Sequence, residues 1–163
     1  MFHCLLFSCL ETDKNMKENP VNEIQIASFN IGDVLLGIDI ALVKEICRPM
    51  GMTHIPHVAQ CVRGVINLRG EVVTLLDLRQ ILCLSSKSDP DAQLNLIVQY
   101  HGEHVGLCVD HVSDILTLDP TKIEPAPTNI DGIDGRFFRG VYPLKEEIVL
   151  VLNLEQVLDS TMV

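Results

Sequence analysis

The sequence predicts an all-β protein: two small five-stranded β-barrel subdomains packed side by side, with short helices between strands. Three observations carry this expectation. The chain nearly repeats itself, because Val62-Arg63-Gly64-Val65 and the run Glu71 to Leu78 return 76 residues later as Phe138-Arg139-Gly140-Val141 and Glu147 to Leu154. Upstream of each copy, Gly37-Ile38 with Val43-Lys44-Glu45-Ile46 returns 69 residues later as Gly106-Leu107 with Val112-Ser113-Asp114-Ile115. The apolar runs are short and separated by glycine, proline, asparagine or aspartate, as in strands joined by turns. No strand alternates with a helical run of about 10 to 15 residues, which argues against a parallel sheet of strand-helix-strand units.

Each element follows from its residues. Ile24 to Phe29 alternates in part, as a strand with one wetter face does, and Asn30-Ile31-Gly32-Asp33 turns it into Val34 to Ile38, giving an opening hairpin. Asp39 is expected to cap a helical turn through Ala41 and Leu42, after which Val43 to Cys47 is extended. The breaker-rich loop Pro49 to Pro56 leads to Arg63-Gly64. The next hairpin has apolar arms, Val65 to Leu68 and Glu71 to Leu76, joined at Arg69-Gly70, where glycine supplies the freedom a tight turn needs. Asp77 then caps a short helix with Leu78, Ile81 and Leu82 on one face.

Polar Ser85 to Gln93 reads as the linker, placing a first barrel at about 24–84 and a second at about 94–152. The second unit opens with Leu94 to Tyr100, turns at His101-Gly102-Glu103 and returns through Val105 to Val109, with Asp110 expected to cap as Asp39 does. Asp119 to Arg136 reads as an irregular surface excursion. Val141 to Leu144 and Glu147 to Leu152 form the closing hairpin, and 153–159 a last short helix carrying Leu154, Val157 and Leu158. Residues 1–23 are expected to be a flexible segment. Phe2 to Leu10 is mostly apolar but only about half a membrane span and lacks a preceding basic residue, so neither insertion nor export is expected. Residues 1–15 read as an appendage or as an upstream start ahead of Met16.

Composition narrows the function. The chain has 163 residues, 47% of them hydrophobic, enough for a core. Its 12 basic and 22 acidic residues give a net charge of -10, a field that repels polyphosphate and anionic lipid. Aromatics make up 4%, too few for the stacking platforms of a nucleic-acid barrel, so no nucleic-acid partner is expected. Six cysteines without a CxxC pair, four of them in apolar stretches, point to a reducing cytoplasm and no disulfide framework.

Catalytic candidates resolve into structural ones. Asp39, Asp77 and Asp110 occupy equivalent junctions, so capping explains them better than acid-base work. His54 with His57, and His101 with His104, lack the further ligands of a zinc site, and no metal or cofactor is expected. Neither a phosphate-cradling glycine loop nor a nucleophile elbow is present. What distinguishes the first copy is its tip. Arg69-Gly70 is replaced by Lys145-Glu146 in the second copy, so Arg69 is expected to dock with a carboxylate on another protein. Arg63-Gly64, matched by Arg139-Gly140, reads instead as a requirement of both barrels, with the glycine admitting another strand. Val43, with Glu45 and Ile46, is a second candidate surface.

Leu36-Gly37-Ile38-Asp39-Ile40, Val43 to Ile46, Ile55-Pro56, Gly64-Val65-Ile66-Asn67-Leu68-Arg69-Gly70, Asp77-Leu78-Arg79 and Ile123-Glu124-Pro125-Ala126-Pro127 together resemble the CheW-like family of bacterial chemotaxis coupling proteins, over residues 24–159. Ala59 departs from the family's usual second proline. The resemblance implies a non-enzymatic adaptor, monomeric in isolation, that joins the cytoplasmic tips of chemoreceptors to the regulatory domain of the histidine kinase CheA. Such a protein would be cytoplasmic and recruited to membrane-associated receptor arrays. By position match, Val43, Glu45, Gly64, Arg69 and Gly70, with Arg63 beside them, fall in the region of receptor and kinase contacts, and Val105, Val109 and Val112 in the groove between the barrels. An adaptor for surface motility or another output, and a small-molecule-binding or catalytic double barrel, are the alternatives.

Overall fold

The computed structural model describes residues 22–85 and 93–161. Residues 1–21 of the flexible segment expected at 1–23, and 86–92 of the expected linker, lie outside the described residues. Among the described residues there are twelve strands: β1 Ile24–Ile31, β2 Val34–Asp39, β3 Val43–Cys47, β4 Val62–Leu68, β5 Glu71–Asp77, β6 Leu94–Tyr100, β7 Glu103–Val109, β8 His111–Leu118, β9 Asn129–Ile130, β10 Ile133–Asp134, β11 Phe138–Pro143 and β12 Ile148–Leu152. Short helices, α1 Leu78–Ile81 and α2 Leu154–Asp159, follow the two copies of the repeat.

Ten strands form two five-stranded sheets, ordered β8-β1-β2-β12-β11 and β3-β6-β7-β5-β4, while β9 and β10 form a small hairpin. The expectation of an all-β fold in two five-stranded units therefore holds. The division of the chain between them does not. One sheet takes the hairpin 24–39 together with strands from 111–152, and the other takes the hairpin 94–109 with strands from 43–77. Each half lends its first hairpin to the opposite sheet. The reason is local: the turn at Ile40–Leu42 carries the chain from β2 across to β3, and the single residue Asp110 carries it from β7 back to β8. Strand for strand the two sheets read alike, with β1-β2 matching β6-β7, β3 matching β8, and β4-β5 matching β11-β12. In both, the central pairing is parallel, β2 with β12 and β7 with β5.

Alternation along these strands feeds three apolar clusters. Phe29, Leu36, Ile38, Leu96, Leu107 and Leu150 enter a central core between the sheets. Their chain neighbours enter smaller clusters, Ile26, Leu35, Val149 and Val151 in one sheet, and Ile66, Val73, Leu75 and Ile97 in the other. Burial on both faces explains why the strands read as nearly continuous apolar runs. The excursion 119–136 also contributes, contrary to its reading as surface only. Ile133 is buried in the central core, as is Phe137 just beyond the excursion.

No ladder joins β3 to β4 or β8 to β11 among the described residues, so the sheets are not closed barrels by backbone pairing. Their outer edges are strapped instead. Thr53 bridges Val65 on β4, and Glu124 bridges Val141 on β11, each through two backbone hydrogen bonds of 2.8–2.9 Å. Both β4 and β11 carry a bulge at the arginine-glycine step. A Cβ on Gly64 would stand 2.4 Å from the Thr53 carbonyl oxygen, and one on Gly140 2.5 Å from that of Glu124. The repeated glycine exists because the strap comes too close for any side chain.

Asp39 and Asp77 cap as expected, accepting from the amides of Ala41 and Arg79 at 2.9 and 3.0 Å. Asp110 does not. No helix follows it, because β8 starts at His111, and its carboxylate accepts from the Gly32 amide at 2.7 Å and from Arg79 Nη2 at 2.5 Å. Asp110 is thus a clasp between sheets.

Candidate functional site

The Arg69-Gly70 tip is held in one geometry by its backbone. Both residues have positive φ, 53° and 85°, the mirror-image turn that suits the twist of two paired strands, and Asn67 Oδ1 accepts the Gly70 amide at 3.0 Å. A non-glycine residue in the left-handed region is uncommon, so Arg69 sits there by constraint of the hairpin. His101-Gly102 makes the neighbouring β6-β7 turn in the same way, with φ of 48° and 80°.

Side chains tie this tip to both flanks. Arg69 Nη1 lies 3.1 Å from Glu45 Oε2; the Glu45 side chain is 11% exposed and that of Arg69 65%. Glu45 is on β3 and Arg69 follows β4, the two opposite edges of one sheet, so the sheet curls until its ends meet through an ion pair. Cys47 of β3 and Leu68 of β4 pack against the same small cluster. On the other side, Glu71 Oε2 is 2.6 Å from His104 Nδ1 on β7. The carboxylate that the sequence led us to expect on a partner is, in the isolated chain, Glu45 of the protein itself. Solvent screens the pair on the Arg69 side and keeps it to about 1 kcal/mol, while Glu45, at 11% exposure, would need water or a second donor if Arg69 turned to a partner's carboxylate.

The other candidates divide by accessibility. Gly70 is exposed beside Arg69. Val43 and Val112, at equivalent places on β3 and β8, are half-buried against the central core. Arg63 is half-buried, its guanidinium donating to Gln93 Oε1. Gly64 is buried beneath the Thr53 strap. Val105 and Val109 are corrected: at 3% and 1% exposure they belong to the central core and offer a partner no surface. Alternation on β7 sends Val105, Leu107 and Val109 to one side, and that side faces the other sheet.

Sequence reasoning missed the apolar residues that stand out. Val72, directly after the tip and its Glu71, is 72% exposed, and its counterpart Ile148 in the second copy is 57% exposed. Met50, Met52 and Val58 are exposed along the strap loop. The signal for Val72 was available in its neighbour: Val73 is fully buried, so strict alternation places Val72 outside. Among the described residues no group of three or more histidine, cysteine or acidic side chains is arranged to hold a metal.

Burial pushes the Cys108 thiol up to about 11 from its ordinary 9.0, and Cys47 is raised as well, by burial first and by Glu45 second. A pKa higher in the folded state favours the neutral thiol there. The Cys108 contribution to stability is therefore fully present below pH 9.0 and is lost as pH climbs through about 11. At neutral pH a thiol reagent is expected to modify exposed Cys83 quickly and Cys108 only after unfolding. Equal rates at the two sites, followed by peptide mass mapping, would show the core at Cys108 to be open.

Comparison with known proteins places these features. The family model described as CheW-like domain matches residues 25–162. The chain is 35% identical over 138 residues to a probable chemotaxis protein CheW of Rhizobium etli, covering 84% of this chain and 88% of that one. It is 31% identical over 132 residues to the chemotaxis protein CheW of Klebsiella aerogenes, with 81% and 80% covered. The crystal structure of the scaffolding protein TtCheW from Thermoanaerobacter tengcongensis superposes with a TM-score of 0.78 at 26% identity, covering 88% of this chain and 93% of that one.

Proposed function

The chain belongs to the CheW-like domain family and is an adaptor of chemotaxis signalling; on that premise we propose that it couples the cytoplasmic tips of methyl-accepting chemoreceptors to the regulatory domain of the histidine kinase CheA, with no covalent step on the chain itself. The observation that carries the residue-level reading is the first copy's tip. A rigid turn presents Arg69 at 65% exposure, and Val72 stands beside it as an apolar complement. Val43, Glu45, Gly70 and Val112 line or flank accessible surface, while Arg63 and Gly64 set the shape of β4 beneath it.

Each contact need be no larger than about 1,200 Å², because many simultaneous contacts in an array raise effective concentration. No helix among the described residues is long and apolar enough to cross a membrane, and recruitment to membrane-associated arrays would come through the receptors. Signal would pass as a bias in how the kinase sits against the receptor.

Arg69→Glu is expected to weaken association with receptor or kinase fragments about tenfold, while the far-ultraviolet circular dichroism stays unchanged. The double exchange Glu45→Arg with Arg69→Glu restores an internal pair but not the outward charge, so binding is expected to stay weak. Recovery in the double variant would reduce Arg69 to a structural role. Unchanged binding of Arg69→Glu at both low and high salt would remove the tip from the interface.

A further inference from the structure

A small cavity of about 80 Å³ opens beside β4, lined by Arg63, Gln93, Asn95 and Cys108, with Leu75 behind them and the exposed Pro49 and Met52 on its outer side. Asn95 is 1% exposed, and its Nδ2 has no hydrogen-bond partner. The Cys108 thiol donates to Asn95 Oδ1 at 3.5 Å, so the oxygen is occupied and the two amide hydrogens are left over. Cys47 is paired directly across from Asn95 on β3, where the amide favours its thiolate and partly offsets the effect of burial. Arg63 donates to Gln93 Oε1, which engages one of the five N–H groups of the guanidinium.

The other sheet solves the same position differently. Ala27 pairs with Ile38 there as Leu96 pairs with Leu107 here, so Ile26 is the counterpart of Asn95. Ile26 is an ordinary core residue packed over Gly37. The counterpart of Arg63, Arg139, is exposed. In only one of two otherwise matching sheets does a buried amide replace an isoleucine and an arginine turn half inward, and there a cavity lies next to both.

We propose that this cavity is a binding site for a compact carboxylate of the size of formate or acetate. The lining supplies a permanent positive charge from Arg63 and an unpaired amide donor from Asn95, and no carboxylate lines it. Two donors of which one is charged match two carboxylate oxygens. The volume exceeds the ~15 Å³ one ordered water needs, and a single cation in a small space disfavours a dianionic phosphate. The inference is independent of the adaptor role and can fail without affecting it.

The experiment uses the ¹⁵N-labelled full chain, titrated with sodium acetate and, at matched ionic strength, with sodium chloride. The side-chain amide pair of Asn95 is expected to shift saturably with acetate and not with chloride. Arg63→Gln should weaken that response about tenfold, the worth of one charge-assisted hydrogen bond. Asn95→Ile, which copies the other sheet, should stay folded, and the rise in thermal midpoint that acetate gives the unaltered chain should vanish in it. An equal response to chloride, a shift that never saturates, or an acetate effect that survives Asn95→Ile would each overturn the site.

Discussion

Gly64→Ala is expected to destabilise the protein by about 3 kcal/mol and, under the proposed coupling role, to weaken receptor and kinase association through loss of shape rather than charge. The new Cβ would lie 2.4 Å from the Thr53 carbonyl oxygen and 2.8 Å from Met52 Cγ. Met52 can swing away, but the Thr53 oxygen is backbone and is fixed by its own hydrogen bond from the Val65 amide at 2.9 Å. The strap must therefore lift, which exposes the outer edge of β4 and unseats the loop carrying Met50 and Met52. Gly70→Ala is the informative control, because nothing lies within 4 Å of its added Cβ and only the positive φ of 85° is at stake. It should lose about 1 kcal/mol. Urea midpoints of the two variants would separate the effects, and equal small losses would show that the strap is pliable.

Arg79→Met is expected to lose about 2–3 kcal/mol, somewhat less than the break of a fully buried ion pair because the Asp110 side chain keeps 24% exposure. Arg79 lies on α1, directly after one sheet, with its own side chain 7% exposed. Asp110 is the single residue through which the chain passes to the other sheet, and it also accepts the Gly32 amide in the β1-β2 turn. Removing the guanidinium leaves a carboxylate at the sheet junction with less compensation for its lost hydration. Methionine keeps much of the volume, so the loss reports charge rather than a cavity. A double-mutant cycle with Asp110→Ala is the check: the second substitution should add little once Arg79 is gone, and full additivity would show that the clasp is not one unit.

The strands and their turns were legible in the sequence because their causes are local. Apolar alternation, an X-Gly pair at Arg69-Gly70, and Asp39 and Asp77 ahead of short helical turns each act within a few residues. Asp110 was misread for the same reason. Its sequence context matches Asp39, but what its carboxylate meets is Arg79 and Gly32, both remote in the chain. The proposed docking tip was visible as the part of the repeat that the second copy lacks. Its internal partner Glu45 was not, since that contact requires the sheet to curl edge toward edge. Val105 and Val109 fit the family pattern by position, yet whether a strand face looks into a groove or a core depends on what packs over it.

The sequence by itself determined an all-β fold, the matching of its strands between two copies, and the family to which the chain belongs. A repeat records which segments are equivalent, however, and not which copy each will pair with. That choice was made in three dimensions, where β1-β2 and β6-β7 each bury both faces by joining the other half's strands. Burial on two sides is worth more than burial on one; the continuous apolar runs record that both faces are covered, but not which strands cover them. The exchange of hairpins, the strap over each glycine, the Arg79–Asp110 clasp and the unpaired Asn95 amide beside Arg63 all follow from that packing.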